Sequence, residues 1–243
     1  MQHRPLAASV TQFRAFLARR LDPSTFLGLH LTVSLIVAAA GVWLFASLVD
    51  AVLDRAVMVR FDQFADRMIH SQTTPLGLAF FNFMSRIGSP LSMTIVAVAG
   101  GIFLLLRRWP TLLVTWVAVF AGASVLEQIL KRVVHRTRPP YGTQYLNGYS
   151  FSFPSGHSMW SLVGCSMLLY VVFLAFRPRH GLRTFLMCLG AVFVLLVGAS
   201  RVYLGVHYPS DVLGGWAVGS AWVATCLSVA GIVLHHRGIA LSA

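Results

Sequence analysis

The chain has 243 residues, 57% of them hydrophobic and only 11% charged, with a mean hydropathy of +0.74. A soluble domain carries about a quarter charged residues, so this composition excludes one and points to lipid as the main solvent. The net charge of +12 does not make a nucleic-acid surface. The basic residues fall in short clusters between apolar runs, not along one polar face, and most of them read as loop charge that orients membrane helices.

From the N-terminus, residues 1–25 have no apolar core of signal-peptide length before Arg19 and Arg20. They are expected to form a cytoplasmic arm, with Phe13, Phe16 and Leu17 on an amphipathic helix at the membrane surface. Residues 26–236 follow as one membrane domain, and 237–243 as a tail. A hydrocarbon core about 30 Å thick takes roughly 20 apolar residues per helix. Six stretches come close to that length: Leu31–Val49, Ile87–Leu106, Trp109–Leu126, Ser158–Phe176, Thr184–Ser200 and Val212–Leu234. The fold class expected is therefore all-α: a polytopic membrane protein of six spans with an interfacial N-terminal helix and short outer-face helices.

Between the first two spans, Asp50–Pro75 mixes acids, arginines and apolar residues, and is expected at the surface as a lid. Ser71–Ser85 is apolar but short and contains Pro75, so it is expected to be interfacial or re-entrant and not a span. Arg107 and Arg108 alone separate the second and third spans and require a tight hairpin. With the N-terminus in the cytoplasm, the inner loops hold Arg4, Arg14, Arg19, Arg20, Arg107, Arg108, Arg177, Arg179, Arg183 and Arg237 against the single acid Asp22. The other face then holds the remaining basic residues and six acids, among them Asp62, Glu127 and Asp211. Cys165, Cys188 and Cys226 lie in apolar runs, with neither a disulfide framework nor metal-ligand spacing.

Three places converge on that outer face. In the first, Lys131 continues the third helix, and Pro139 disfavours helical geometry at the residue before it, so the helix is expected to end near Arg138. Lys131 is the chain's one lysine among 19 basic residues. A lysine point charge and the Arg138 fork can approach one anion from two sides, or both can simply snorkel at a helix end. Snorkelling is the reading preferred for Arg132 and Arg136. In the second, Pro154-Ser155-Gly156-His157 runs into the fourth span. Ser155 is a natural N-cap, Gly156 allows close backbone approach, and free N–H groups at a helix start favour an anion. His157 adds a titratable group there, although an interfacial histidine is equally ordinary. In the third, Ser200-Arg201 ends the fifth span, and His207 and Asp211 follow four residues apart, on one face if helical. A carboxylate on one ring nitrogen fixes the tautomer and frees the other nitrogen as a nucleophile. Glu127, one turn before Lys131, reads as a structural ion-pair partner of Lys131 or Arg132 in preference to a catalytic group.

Taken in order, these places read K-x6-RP, PSGH and SR-x5-H-x3-D. The sequence here resembles the type 2 phosphatidic acid phosphatase superfamily of membrane lipid phosphatases, with all three motifs complete and a matching six-span layout. The resemblance implies that His207 attacks phosphorus to form a phosphohistidine, that Asp211 holds and polarises His207, and that His157 is the acid and then the base. It implies that Lys131, Arg138 and Arg201 bind the phosphoryl oxygens, with Ser155 and the Gly156 N–H adding hydrogen bonds. No metal or other cofactor is expected, since three cations and a helix N-terminus can neutralise the charge of a transferring phosphoryl group.

The expected partners are a lipid phosphate and the bilayer, with no nucleic acid. The motifs do not choose among phosphatidate, phosphatidylglycerol phosphate, undecaprenyl pyrophosphate and lipid A. A bacterial inner-membrane protein with its site on the periplasmic side is expected. Tyr141, Tyr145, Tyr149, Phe151 and Phe153 form either an interfacial aromatic belt or a wall for lipid chains. Gly214, Gly215 and Gly219 allow close helix packing within one chain or between chains, so oligomeric state stays open. A phosphotransferase, a vanadium-dependent haloperoxidase and a non-catalytic lipid-phosphate binder are the rival readings.

Overall fold

The structure is a computed structural model and describes residues 31–54, 56–142 and 151–236. The N-terminal arm, the C-terminal tail, Tyr145 and Tyr149 lie outside the described residues. Eight helices occur among the described residues: α1 (Leu31–Asp54), α2 (Ala56–His70), α3 (Pro75–Ile87), α4 (Pro90–Leu106), α5 (Pro110–Val134), α6 (Gly156–Phe176), α7 (His180–Tyr203) and α8 (Pro209–His236). Counting α3 and α4 as one stretch, six are long and apolar enough to cross a membrane. The fold is the all-α polytopic membrane bundle that the apolar runs require.

Large apolar residues such as Ile36, Trp43, Leu105 and Phe185 are exposed on the bundle's flanks, which only a lipid solvent makes inexpensive. Inside, Trp116, Phe120, Met159, Trp160 and Val163 join α5 and α6 in the core. The most central helix is α8, which packs extensively on α1 and also against α6 and α5. Its small residues serve contacts within the chain: Gly214 abuts the Phe153 ring, while Gly215 and Gly219 lie on the backbone and Met159 of α6.

The second span departs from the expected one. Its first part is a separate 13-residue helix, α3, about 20 Å long and too short to cross alone. Thr74 caps α3 through its side-chain oxygen, and Ser89 caps α4 in the same way, each followed by a proline at the first helical position. The break between them lets α3 lean on α7, where Phe81 packs on Tyr203 with ring centroids 4.4 Å apart. The segment expected to be interfacial thus leads directly into the second span. The hairpin at Arg107–Arg108 is as tight as expected, with Trp109 directly before α5.

Helix α2 is amphipathic in the inverted sense. Val57, Phe61, Phe64 and Met68 are exposed along one face, while Asp62 and Asp66 are buried. Buried carboxylates persist only when paired or hydrogen-bonded, and the partners of Asp62 belong to the site at the start of α8.

Candidate active site

Helix α5 ends at Val134, four residues earlier than the Pro139 rule suggests. His135 takes the left-handed conformation (φ 50°) and returns its N–H to the Lys131 carbonyl, closing the helix. The chain beyond it is not helical, and it carries Arg136 and Arg138 to α8. Both guanidinium groups reach the start of that helix.

Arg136 is where the sequence reading fails most plainly. It does not snorkel. Its Nη1 donates to Asp211 Oδ1 (2.5 Å) and Ser210 Oγ (2.7 Å), its Nη2 donates to Asp62 Oδ2 (2.6 Å), and it lies 4.3 Å from the Tyr208 ring centroid. Burial alone would lower its pKa, but Asp211 and Asp62 outweigh that and raise it. Removing one partner of such a buried pair typically costs about 3–5 kcal/mol, because the other charge is stranded.

His207 precedes α8 instead of lying on it, so the four-residue spacing to Asp211 works through a turn and not through a helical face. Tyr208 stands at the N-cap position, and its N–H donates to Asp211 Oδ2 (2.8 Å), the carboxylate half of a capping box. The same Oδ2 lies 3.4 Å from His207 Nδ1 and accepts a short hydrogen bond from Ser152 Oγ. On the other side of the ring, Arg138 Nη1 is 3.0 Å from Nε2 and also donates to the Val206 carbonyl at 2.8 Å. A guanidinium can only donate, so Nε2 presents its lone pair and Nδ1 carries the proton toward Asp211. Burial first, then Arg138, Arg201 and Lys131, hold His207 well below the ordinary imidazole value, so the ring is neutral near pH 7.

Gly205 (φ 65°) makes the turn that delivers His207. A Cβ there would stand 2.5 Å from the His70 ring, which itself stacks on Tyr141. Of the other loop aromatics, Phe153 is fully buried against Phe45 and Gly214, so it is core, neither belt nor wall.

Ser155 is the N-cap residue of α6, as expected, but its hydroxyl makes no capping bond. Instead Ser155 Oγ accepts from Ser158 Oγ (3.0 Å), and the Ser155 N–H donates to the Asp211 carbonyl (2.9 Å), joining the starts of α6 and α8. His157 is partly buried in the first turn, with Arg201, Lys131 and Arg138 as the cations near it. Arg201 is 5% exposed. Its Nη1 donates to Ser85 Oγ of α3, while its Nε has no hydrogen-bond partner among the described residues. Lys131 Nζ pairs with Glu127 Oε1 at 2.7 Å, and Trp160 Nε1 donates to Glu127 Oε2 at 2.7 Å. Of the two pairings open to Glu127, the one with Lys131 is formed. Gly156 is required beside it, since a Cβ there would be 2.1 Å from Glu127 Oε1.

All eight site positions read from the sequence gather at one end of the bundle. Asp62, Ser85, Arg136, Ser152 and Ser210 belong to the same cluster and were not foreseen. Arg136 alone carried a signal, as a second arginine two residues before Arg138.

A family model described as the PAP2 superfamily matches residues 112–232, which include every one of the eight. Phosphatidylglycerophosphatase B of Bacillus subtilis is 38% identical over 127 residues, covering 51% of this chain and 60% of that protein. Decaprenylphosphoryl-5-phosphoribose phosphatase of Mycobacterium tuberculosis is 36% identical over 143 residues, covering 56% of this chain and 71% of that protein. The chain belongs to the PAP2 superfamily. Among solved PAP2 structures, the transmembrane phosphatidylglycerolphosphate phosphatase from Bacillus subtilis matches with a TM-score of 0.70 at 25% identity, over 79% of this chain and 94% of that one. This chain spans less than two thirds of the Bacillus relative's sequence.

Proposed function

We propose that the chain is an integral-membrane phosphatase that hydrolyses a lipid phosphate or pyrophosphate without a metal, through a phosphohistidine. The observation that carries this reading is the polarised His207: Nδ1 turned to Asp211 and Nε2 held as a lone pair facing Arg138. In the first step Nε2 attacks phosphorus, the bond from phosphorus to the lipid oxygen breaks, and His157 gives its proton to that oxygen. In the second step His157 takes a proton from water, which attacks the phosphohistidine and releases inorganic phosphate.

Arg138 occupies the place beside Nε2 where the phosphoryl group must arrive, so it turns its donors from the ring to the phosphoryl oxygens as substrate enters. The unpartnered Nε of Arg201 is a second donor ready for an anion. Lys131, the Ser155 hydroxyl and the Gly156 N–H complete the cradle, and these fixed donors stabilise the equatorial charge.

The substrate class rests on the membrane setting and on relatives named for phosphatidylglycerophosphate and decaprenylphosphoryl phosphoribose. A further relative, the undecaprenyl-diphosphatase of Sulfolobus acidocaldarius, is 32% identical over 128 residues, so the proposed class takes in both phosphates and pyrophosphates. The distribution of arginines supports a site on the outer face of a bacterial inner membrane. The test is phosphate release from a panel of lipid phosphates and pyrophosphates, in detergent with EDTA, beside His207→Ala. Release by the wild type with at least about a 10³-fold loss in the variant is expected. Equal rates would overturn the nucleophile, and no release by folded wild type without an added acceptor would turn the reading to a phosphotransferase.

A further inference from the structure

Asp62 lies on α2, 148 residues before Ser210 and outside all three motifs, yet its side chain is wholly buried. Its Oδ2 accepts from Ser210 Oγ (2.5 Å) and Arg136 Nη2 (2.6 Å), and its Oδ1 accepts the Ser210 N–H at 3.2 Å. Through Arg136 it is one group removed from Asp211, whose Oδ1 takes the other arm of the same guanidinium. One cation thus serves two carboxylates, and the three groups together carry one net negative charge beside His207.

We propose that Asp62 is a positioning residue for the nucleophile. It draws half of the Arg136 fork away from Asp211, so Asp211 keeps negative charge for the imidazole and is held with Oδ2 toward Nδ1. Without Asp62, the guanidinium neutralises Asp211 and the phosphohistidine forms on a less polarised ring. The alternative role for a buried carboxylate is to anchor α2 and nothing more. The two differ in what they predict: an anchor moves stability and accessibility, and a positioning residue moves the chemical step through Arg136.

This inference rests on the proposed phosphatase reading, and the test keeps the two apart by running His207→Ala throughout. Asp62→Asn keeps the shape and an acceptor while removing the charge. Detergent-purified Asp62→Asn, Asp62→Glu, Arg136→Gln and the Asp62→Asn/Arg136→Gln double variant are compared for kcat, KM and thermal midpoint on one lipid phosphate. Outer partners of metal-ligating histidines typically cost about 10–100-fold when removed, and a nucleophilic histidine oriented in the same way should respond on that scale. Asp62→Asn should lose about that much in kcat with KM nearly unchanged, and Asp62→Glu should recover part of it. The double variant should be no slower than Arg136→Gln alone, because Asp62 has nothing to act through once Arg136 is gone. A kcat for Asp62→Asn within about twofold of wild type, or losses that multiply in the double variant, would overturn the proposal. If Asp62→Asn fails to fold, the double variant, which removes both charges together, and Asp62→Glu still decide it. Wild-type rates from His207→Ala would instead remove the phosphatase reading itself.

Discussion

The two halves of the site are built on opposite principles. Around His207 every polar group is spoken for: Asp211 takes Arg136, Ser152 and the Tyr208 N–H, while Arg136 takes Asp62 and Ser210 as well. Around His157 and Arg201 the groups are left wanting. Arg201 Nε has no hydrogen-bond partner among the described residues, and the Ser155 hydroxyl leaves its helix uncapped. A saturated network fixes the orientation of a reacting atom before substrate arrives. Unsatisfied buried donors are costly until an anion fills them, which under the proposed function makes them the binding half. Under the proposed function, preorganisation falls to the start of α8, and affinity to α6 and α7 together with Lys131 and Arg138.

Predictions can break that division. Within the binding half, the largest effect is expected at Arg201. Losing one donor to a developing phosphoryl charge costs about 10²–10³-fold, so Arg201→Ala should lose that much in kcat/KM and bind orthovanadate correspondingly weakly. A variant that lost kcat but bound vanadate as tightly as wild type would move Arg201 out of the binding half.

Gly156→Ala comes next. Its Cβ would drive into Glu127 Oε1 and displace the Lys131 pair or the first turn of α6. A shift of under an ångström in positioned groups can cost up to about 10²-fold, so a fall of about 10-fold in kcat/KM is expected by steady-state assay. Wild-type kinetics would mean that the α6 N-terminus does not touch phosphate.

The smallest effect sharpens the saturated half. His207 is held well below the ordinary imidazole value by burial and by Arg138, Arg201 and Lys131. Its folded pKa is depressed, so the neutral form persists as pH falls from 7 through the usual imidazole value of about 6.5. Nitrogen-15 histidine spectra, with the His207 signals assigned by their loss in His207→Ala, should show the Nδ1–H tautomer unchanged over that interval. Titration near 6.5 would mean that neither burial nor the cations act on the ring as the structure places them.

Legibility from sequence followed sequence distance. The six spans were readable because lipid demands long apolar runs, and each motif was readable because its residues lie within about one to three helical turns of one another. Turn geometry was less so. The α5 end at His135 depends on a left-handed residue that no helix-stop rule marks, and the place of His207 ahead of α8 follows from Pro209 at its first position. The broken second span was half legible: Pro75 and Pro90 were visible, but the lean of α3 onto α7 was not.

Composition, apolar run length and the three local motifs by themselves determined a six-span bundle with a cation-rich, histidine-bearing end. Those properties depend on solvent and on near neighbours along the chain. Only the tertiary structure decided that Asp62 of α2 and Ser85 of α3 complete that end, and that Arg136 is buried between two carboxylates. A buried charge is stable only where a partner meets it in space, and a single sequence carries no mark of which distant residue that will be.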